Sequence, residues 1–227
     1  PTFNDNTDSF LFEGRELVPM GNNVYQPLVE NEFSVIKKTP AGWEVQTKSG
    51  SLLQLGTTAD SRMVFIDNGV KKTHAWFLNQ MTDSNGNTIR YEYVSNGGNT
   101  YIKKITYAIY QVVFNYEFRQ DEYCSYRNGF EVKTAMRCAS IEVDLLLPAL
   151  TPIKQYRFSY THAPYSEISL LQKAELVALH KENTTTEEIP FPPITFNYNH
   201  FDPAQKKLEL FTSRNGSAPP SLLRPDV

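Results

Sequence analysis

Residues 76–93 read WFLNQMTDSNGNTIRYEY, and this stretch limits the possible fold more than any other. An apolar run enters the turn Asp83-Ser84-Asn85-Gly86-Asn87, and an alternating run leaves it. Asp at the first turn position and Gly at the fourth suit a type I turn closed by a left-handed residue. That connection joins antiparallel strands through a bulge. Beyond it, Ile89, Tyr91 and Tyr93 fall on one face and Thr88, Arg90 and Glu92 on the other. A half-buried strand has this period of two. The stretch spells a β-hairpin with an aromatic face.

Short runs separated by turn chemistry fill the rest of the chain. Residues 9–19 hold two apolar pieces around Gly14, after a polar, fraying start at 3–8. Residues 33–36 and 43–47 read as strands around Thr39-Pro40-Ala41-Gly42, and Lys48-Ser49-Gly50 turns into 52–55. Residues 63–66 lead to Asp67-Asn68-Gly69, where Asn-Gly is a strong hairpin signal. Further strands are expected at 101–107, 112–118, 141–147, 154–160 and 194–198, with turns at 96–99 and 128–129. Residues 166–180 fit a helix capped by Ser166, but their Leu-Val-Ala-Leu run also fits a strand, and the strand-rich surroundings favour the strand. The expected fold is all-β and antiparallel, with consecutive strands joined as hairpins.

A chain of 227 residues with 40% hydrophobic and 13% aromatic residues has enough apolar surface for a core, so global disorder is excluded. A net charge of −3 lacks the basic footprint of a nucleic-acid binder. No apolar run nears the roughly 18 residues of a membrane span, the longest being broken by Pro148, so no direct membrane insertion is expected. No signal-peptide pattern opens the chain. The start at Pro1 and the ending LLRPDV suggest a piece of a longer protein. Cys124 and Cys138 are too few for a disulfide framework; they either meet across a hairpin or stay separate thiols, the simpler reading.

Candidate chemistry comes out empty. Asp83-Ser84-Asn85-Gly86-Asn87 begins like a calcium loop but has Thr88 where an EF-hand has Gly and Val94 where it has Glu, so a turn is the simpler reading. His74, His162, His180 and His200 lack zinc-ligand spacing. Glu187-Glu188 reads as a solvated loop, and Arg119, Asp121 and Glu122 as a charged strand end. No nucleophile elbow or phosphate loop occurs. No catalytic, cofactor-binding or metal residue is assigned, and no cofactor is expected.

Four segments share an aromatic alternation: Tyr91-Glu92-Tyr93, Phe114-Asn115-Tyr116-Glu117-Phe118, Tyr156-Arg157-Phe158-Ser159-Tyr160 and Phe196-Asn197-Tyr198. A unit of about 20 residues, sometimes doubled, fits their spacing. Strand preference for aromatic residues explains the spacing equally well.

Taken in order, DSFLFEGRELVP, WFLNQMTDSNGNTIRYEY, YIKKITY, VVFNYEFRQD and PPITFNYNHFD resemble the SpvB-type N-terminal domain. The same domain opens the B component of bacterial insecticidal toxin complexes (Tc toxins). The central piece is also similar to Rhs/YD-repeat hairpins. The resemblance covers residues 8–227 and implies one domain, 1–227, forming a section of a curved or spiralling β-shell. NGSAPPSLLRPDV resembles the lead into the β-propeller that follows it. The implied role is non-catalytic: wall for a hollow shell that encloses and delivers a toxic effector in a secreted bacterial toxin. The implied partners are the rest of its own chain, the C component and the A-component pore. The family's ADP-ribosyltransferase part needs an Arg, a Ser-Thr-Ser strand and a Glu-x-Glu pair, and no Ser-Thr-Ser occurs here. Asp202-Pro203-Ala204-Gln205 lacks the Gly of the shell's Asp-Pro-x-Gly protease pattern and reads as a turn. The alternative is a secreted β-rich carbohydrate- or protein-binding module, with Trp43 or Trp76 as reporters of sugar binding.

Overall fold

A computed structural model of the chain describes residues 3, 7–29, 33–182 and 185–199. The strands are β1 (Phe10–Phe12), β2 (Arg15–Gly21), β3 (Val24–Pro27), β4 (Val35–Thr39), β5 (Gly42–Gln46), β6 (Leu52–Leu55), β7 (Arg62–Asp67), β8 (Val70–Trp76) and β9 (Leu78–Thr82). They continue as β10 (Thr88–Asn96), β11 (Asn99–Tyr107), β12 (Tyr110–Ser125), β13 (Val132–Leu145), β14 (Thr151–His162), β15 (Ser169–Glu182), β16 (Thr185–Pro190) and β17 (Ile194–Thr195). The described residues contain no helix, and every pairing among them is antiparallel. Residues 169–180 are strand, as their surroundings suggested.

Fifteen strands form one open sheet in chain order, except that β6 pairs directly with β9 and β17 pairs with β15 rather than β16. Between them, β7 and β8 leave the sheet as a separate two-stranded ribbon. This corrects two expectations: the hairpins are not all consecutive, and the apolar run 76–82 is not one strand. It breaks at Phe77, whose N–H donates to Ser61 O and whose carbonyl accepts from Gly56 N, both at 2.8 Å. Sequence reading also missed β3 and most of β8. It took 185–188 for loop where β16 stands, and placed Arg119, Asp121 and Glu122 at a strand end, whereas they lie inside the 16-residue β12.

The turns follow the predicted chemistry. Asn68 and Gly69 both have positive φ (49° and 79°), and so do Gly97 and Gly98 (58° and 77°), as two-residue hairpin turns require. In the central turn, Gly86 N–H donates to Asp83 O at 3.1 Å and Asp83 N–H to Asn87 O at 3.0 Å, with Gly86 at φ 85°. A Cβ on Gly86 would meet nothing within 4 Å, so only backbone strain opposes a side chain there. Gly86→Val is expected to destabilise by roughly 1 kcal/mol, and Ser84→Ala by a few tenths at most; equal urea-midpoint shifts would contradict the turn.

The core lies in the N-terminal half. Leu17, Ile36, Trp43 and Val45 are buried, and Phe10, Phe12, Tyr25, Leu53, Leu55 and Trp76 pack around them. Phe10, Tyr25 and Trp76 approach Trp43 edge-on at 4.9–6.0 Å, an arrangement that suits the ring quadrupoles. The sheet from β10 onward is different. Among its described hydrophobic residues, only Val132, Ala135 and Val177 are buried. The aromatic alternation therefore does not build the buried core, although rings that alternate with polar residues would suit one.

Candidate functional site

The four aromatic repeats share one device. Tyr93 Oη donates to Leu78 O, Tyr116 Oη to Ile102 O and Tyr160 Oη to Cys138 O, each at 2.6 Å, and Tyr198 Oη donates to Leu171 O at 2.7 Å. Each tyrosine stands three residues past the last ladder pair with its preceding strand: Arg90–Gln80, Val113–Lys104, Arg157–Ser140 and Thr195–Lys173. Where two strands part, the tyrosine hydroxyl satisfies a carbonyl beyond the end of the ladder. Counted along each register, that carbonyl lies one residue from the tyrosine's own counterpart. The counterparts Phe77 and Tyr101 pack on the rings of Tyr93 and Tyr116 at 5.4 and 5.3 Å, and Arg137 lies 4.3 Å over Tyr160.

The following strand bulges at the same level. One extra residue, Lys103, Ala139 or Gln172, interrupts the registers just before Tyr93, Tyr116 and Tyr160. Bulges raise local twist, so each of these three repeats loosens the sheet on one side, twists it on the other and latches the seam. Burial pushes the hydroxyls of Tyr93 and Tyr116 up to about 12. Their contribution to stability is complete below the ordinary tyrosine value near 10 and lost as pH rises through 12. Tyr116→Phe is expected to lower stability by about 1–2 kcal/mol by leaving Ile102 O unpaired, read as a urea-midpoint shift with unchanged circular dichroism.

The repeats put apolar and aromatic side chains on one sheet face, including Tyr91, Val112, Phe114, Ile141, Tyr156, Phe158 and Leu176. The opposite face carries a hydrogen-bonded ladder. Asn115 donates to Glu142 at 3.0 Å, Gln155 to Glu142 at 2.8 Å, and Arg157 to Gln155 at 2.6 Å and to Glu188 at 2.5 and 2.9 Å. A second network ties β12, β13 and β15. Arg119 and Ser169 both donate to Asp121, while Arg137 reaches Glu117 and Ser169, each at 2.6 Å.

The sequence candidates do not converge. Asp83 accepts from Asn87 Nδ2 at 2.7 Å and from the N–H groups of Asn85 and Asn87 at 2.8 Å, so the turn is satisfied internally. Glu188 is taken by Arg157, while Glu187 stands opposite His180. Cys124 is exposed, Cys138 is half-buried, and both are free; the Glu131 hydrogen bond raises the first thiol's pKa and burial the second's. His74 lies on β8, His162 and His180 are exposed, and no group of three potential metal ligands occurs among the described residues. A cleft of about 380 Å³ beside Gln120, Asp121, His162 and Glu167 has its central carboxylate already engaged. No described helix is long and apolar enough to cross a membrane. His200, Asp202-Pro203-Ala204-Gln205 and NGSAPPSLLRPDV lie outside the described residues. So does Glu30-Asn31-Glu32, a Glu-x-Glu with no Ser-Thr-Ser to accompany it. Sequence reading found the four tyrosine segments, but not the seams that give them a role.

Residues 22–111 match the SpvB family, described as Salmonella virulence plasmid 65kDa B protein. The crystal structure of TcdB2-TccC3 is similar at a TM-score of 0.73 and 19% identity, over 90% of this chain and 14% of that one. That of TcdB2-TccC3-TEV gives 0.71 and 18%, over 89% and 14%. The N-terminal domain of effector protein SpvB from Salmonella typhimurium strain LT2 gives 0.54 and 18%, over 87% and 83%. No curated protein matches the sequence. The chain thus spans about a seventh of the TcdB2-TccC3 chain. The resemblance read from the sequence holds: residues 22–111 carry the SpvB family pattern, within a chain that shares its fold with the SpvB N-terminal domain and the TcdB2-TccC3 Tc toxin components.

Proposed function

We propose that this chain is a non-catalytic wall segment of a secreted bacterial toxin-complex B component or SpvB-like protein, part of a hollow β-shell that encloses and delivers a toxic effector. The observation that carries this reading is the latched sheet from β10 onward: one ring-lined face, one polar ladder and almost no buried core. Such a strip gains stability from neighbours at its edges and over its apolar face. Its partners are then the rest of its own chain, the toxin-complex C component and the A-component pore. The chain is read as one domain, 1–227, without cofactor, nucleic acid or membrane insertion.

The isolated 227-residue chain is expected to self-associate as concentration rises, in size-exclusion chromatography with light scattering at moderate salt. A compact monomer at every concentration would replace the shell reading with a self-contained binding domain. The carbohydrate-binding alternative has little support from the tryptophans, because Trp43 is buried and Trp76 packs against the core rather than forming an open platform.

A further inference from the structure

We propose that His74 makes the clasp between the β7–β8 ribbon and the β12–β13 turn acid-sensitive, so that protonation frees the ribbon from the sheet. Phe65 of β7 stacks on Phe130 of the turn at 4.1 Å, with the rings 7° from parallel. Phe3 meets Phe65 at 4.6 Å, and His74 lies 5.6 Å from Phe130 and 6.2 Å from Phe3. Asn128 Nδ2 adds a contact of 3.9 Å to Met63 Sδ. The base of the ribbon is held separately, by Trp76 in the core and by Arg62 donating to Gly56 O and Ala41 O.

The imidazole is half-buried among rings and has no hydrogen-bond or ion-pair partner among the described residues. Burial lowers its pKa. On the same ribbon, Lys72 approaches the Phe3 ring at 5.6 Å and is paired with Asp67 at 2.7 Å. On the turn, Arg127 is exposed, and Glu131 accepts the Cys124 thiol at 3.0 Å. On β11, Lys103 is exposed. Among the described residues, Asp67 and Glu131 are therefore engaged by other partners, and neither pairs with His74. Because the folded state favours neutral His74, the clasp is complete above the ordinary histidine value near 6.5 and weakens as pH falls through the lowered folded value. Opening would uncover Phe65 and Phe130 beside the exposed Ile66 and Val70, giving an apolar patch available only in acid.

Hydrogen exchange with mass spectrometry on the full chain at pH 7.5 and 5.0, corrected for intrinsic rates, tests this. Protection of residues 62–76 is expected to fall several-fold at pH 5.0 while residues 42–55 are unchanged. His74→Phe should keep the ribbon protected at both pH values, and Phe130→Ala should expose it at both. Equal protection of the unmodified chain at both pH values, or a pH effect that persists in His74→Phe, overturns the proposal. Should His74→Phe fail to fold, the His74 titration by NMR decides: a pKa at or above the ordinary value overturns it.

Discussion

Replacing Gly56 with valine is expected to destabilise the fold by about 3 kcal/mol or more, three times the effect of the same change at Gly86. Gly56 follows β6 at φ 66°, in the left-handed region that β-branched residues avoid. A Cβ there would lie 2.2 Å from Trp76 Cδ1 and 2.8 Å from Trp76 Cβ. Neither partner yields easily. Gly56 N–H donates to Phe77 O at 2.8 Å, and its carbonyl accepts from Arg62. Trp76 is edge-on to Phe10 at 5.9 Å and to Trp43 at 6.0 Å. Strain, overpacking and loss of the indole cluster therefore act together. Urea unfolding followed by tryptophan fluorescence measures the change. A midpoint shift no larger than that of Gly86→Val would show that the core repacks around the new side chain.

Asp121→Ala should remove about 2–3 kcal/mol, since it strands a largely buried guanidinium and a backbone donor together. Asp121 takes Arg119 Nη2 at 2.5 Å and Nε at 3.0 Å, and Ser169 N at 2.7 Å and Oγ at 2.5 Å, so one carboxylate joins β12 to β15. The Arg119 hydrogen bonds hold its pKa well below the ordinary carboxylate range; burial opposes this and Ser169 adds to it. The contribution is complete above the ordinary value near 3.9 and is lost as pH falls through the depressed folded value. Asp60 behaves similarly at another seam. Burial alone would raise its pKa, but the Tyr93 N–H at 2.9 Å and further hydrogen bonds bring it below normal. Stability measured from pH 7 to 2 should fall below about pH 4, and Asp121→Ala should flatten that fall. An unchanged acid limb in the variant would show that other carboxylates carry it.

Local chemistry determined much of this protein. The Asn-Gly, Gly-Gly and Asp83–Asn87 turns formed where the residues demand positive φ, and the period-two runs became strands, except that the last, 194–198, is strand only at Ile194–Thr195. These are short-range steric rules, so residues 67–69 or 83–87 carry them without help. Most of the ambiguous run 166–180 became strand, from Ser169 onward, because β14 offered it a ladder of partners, which propensity alone does not supply. Tertiary structure decided the rest. The departure of β7 and β8 depends on Gly56, Ser61 and Phe77 meeting, residues too far apart in sequence for any periodicity to show. The repeated tyrosines were visible in the sequence, but whether their rings would fill a core or latch a seam was not. An alternating aromatic looks the same in both settings, and only the strand that parts beside it leaves a carbonyl for the hydroxyl to satisfy.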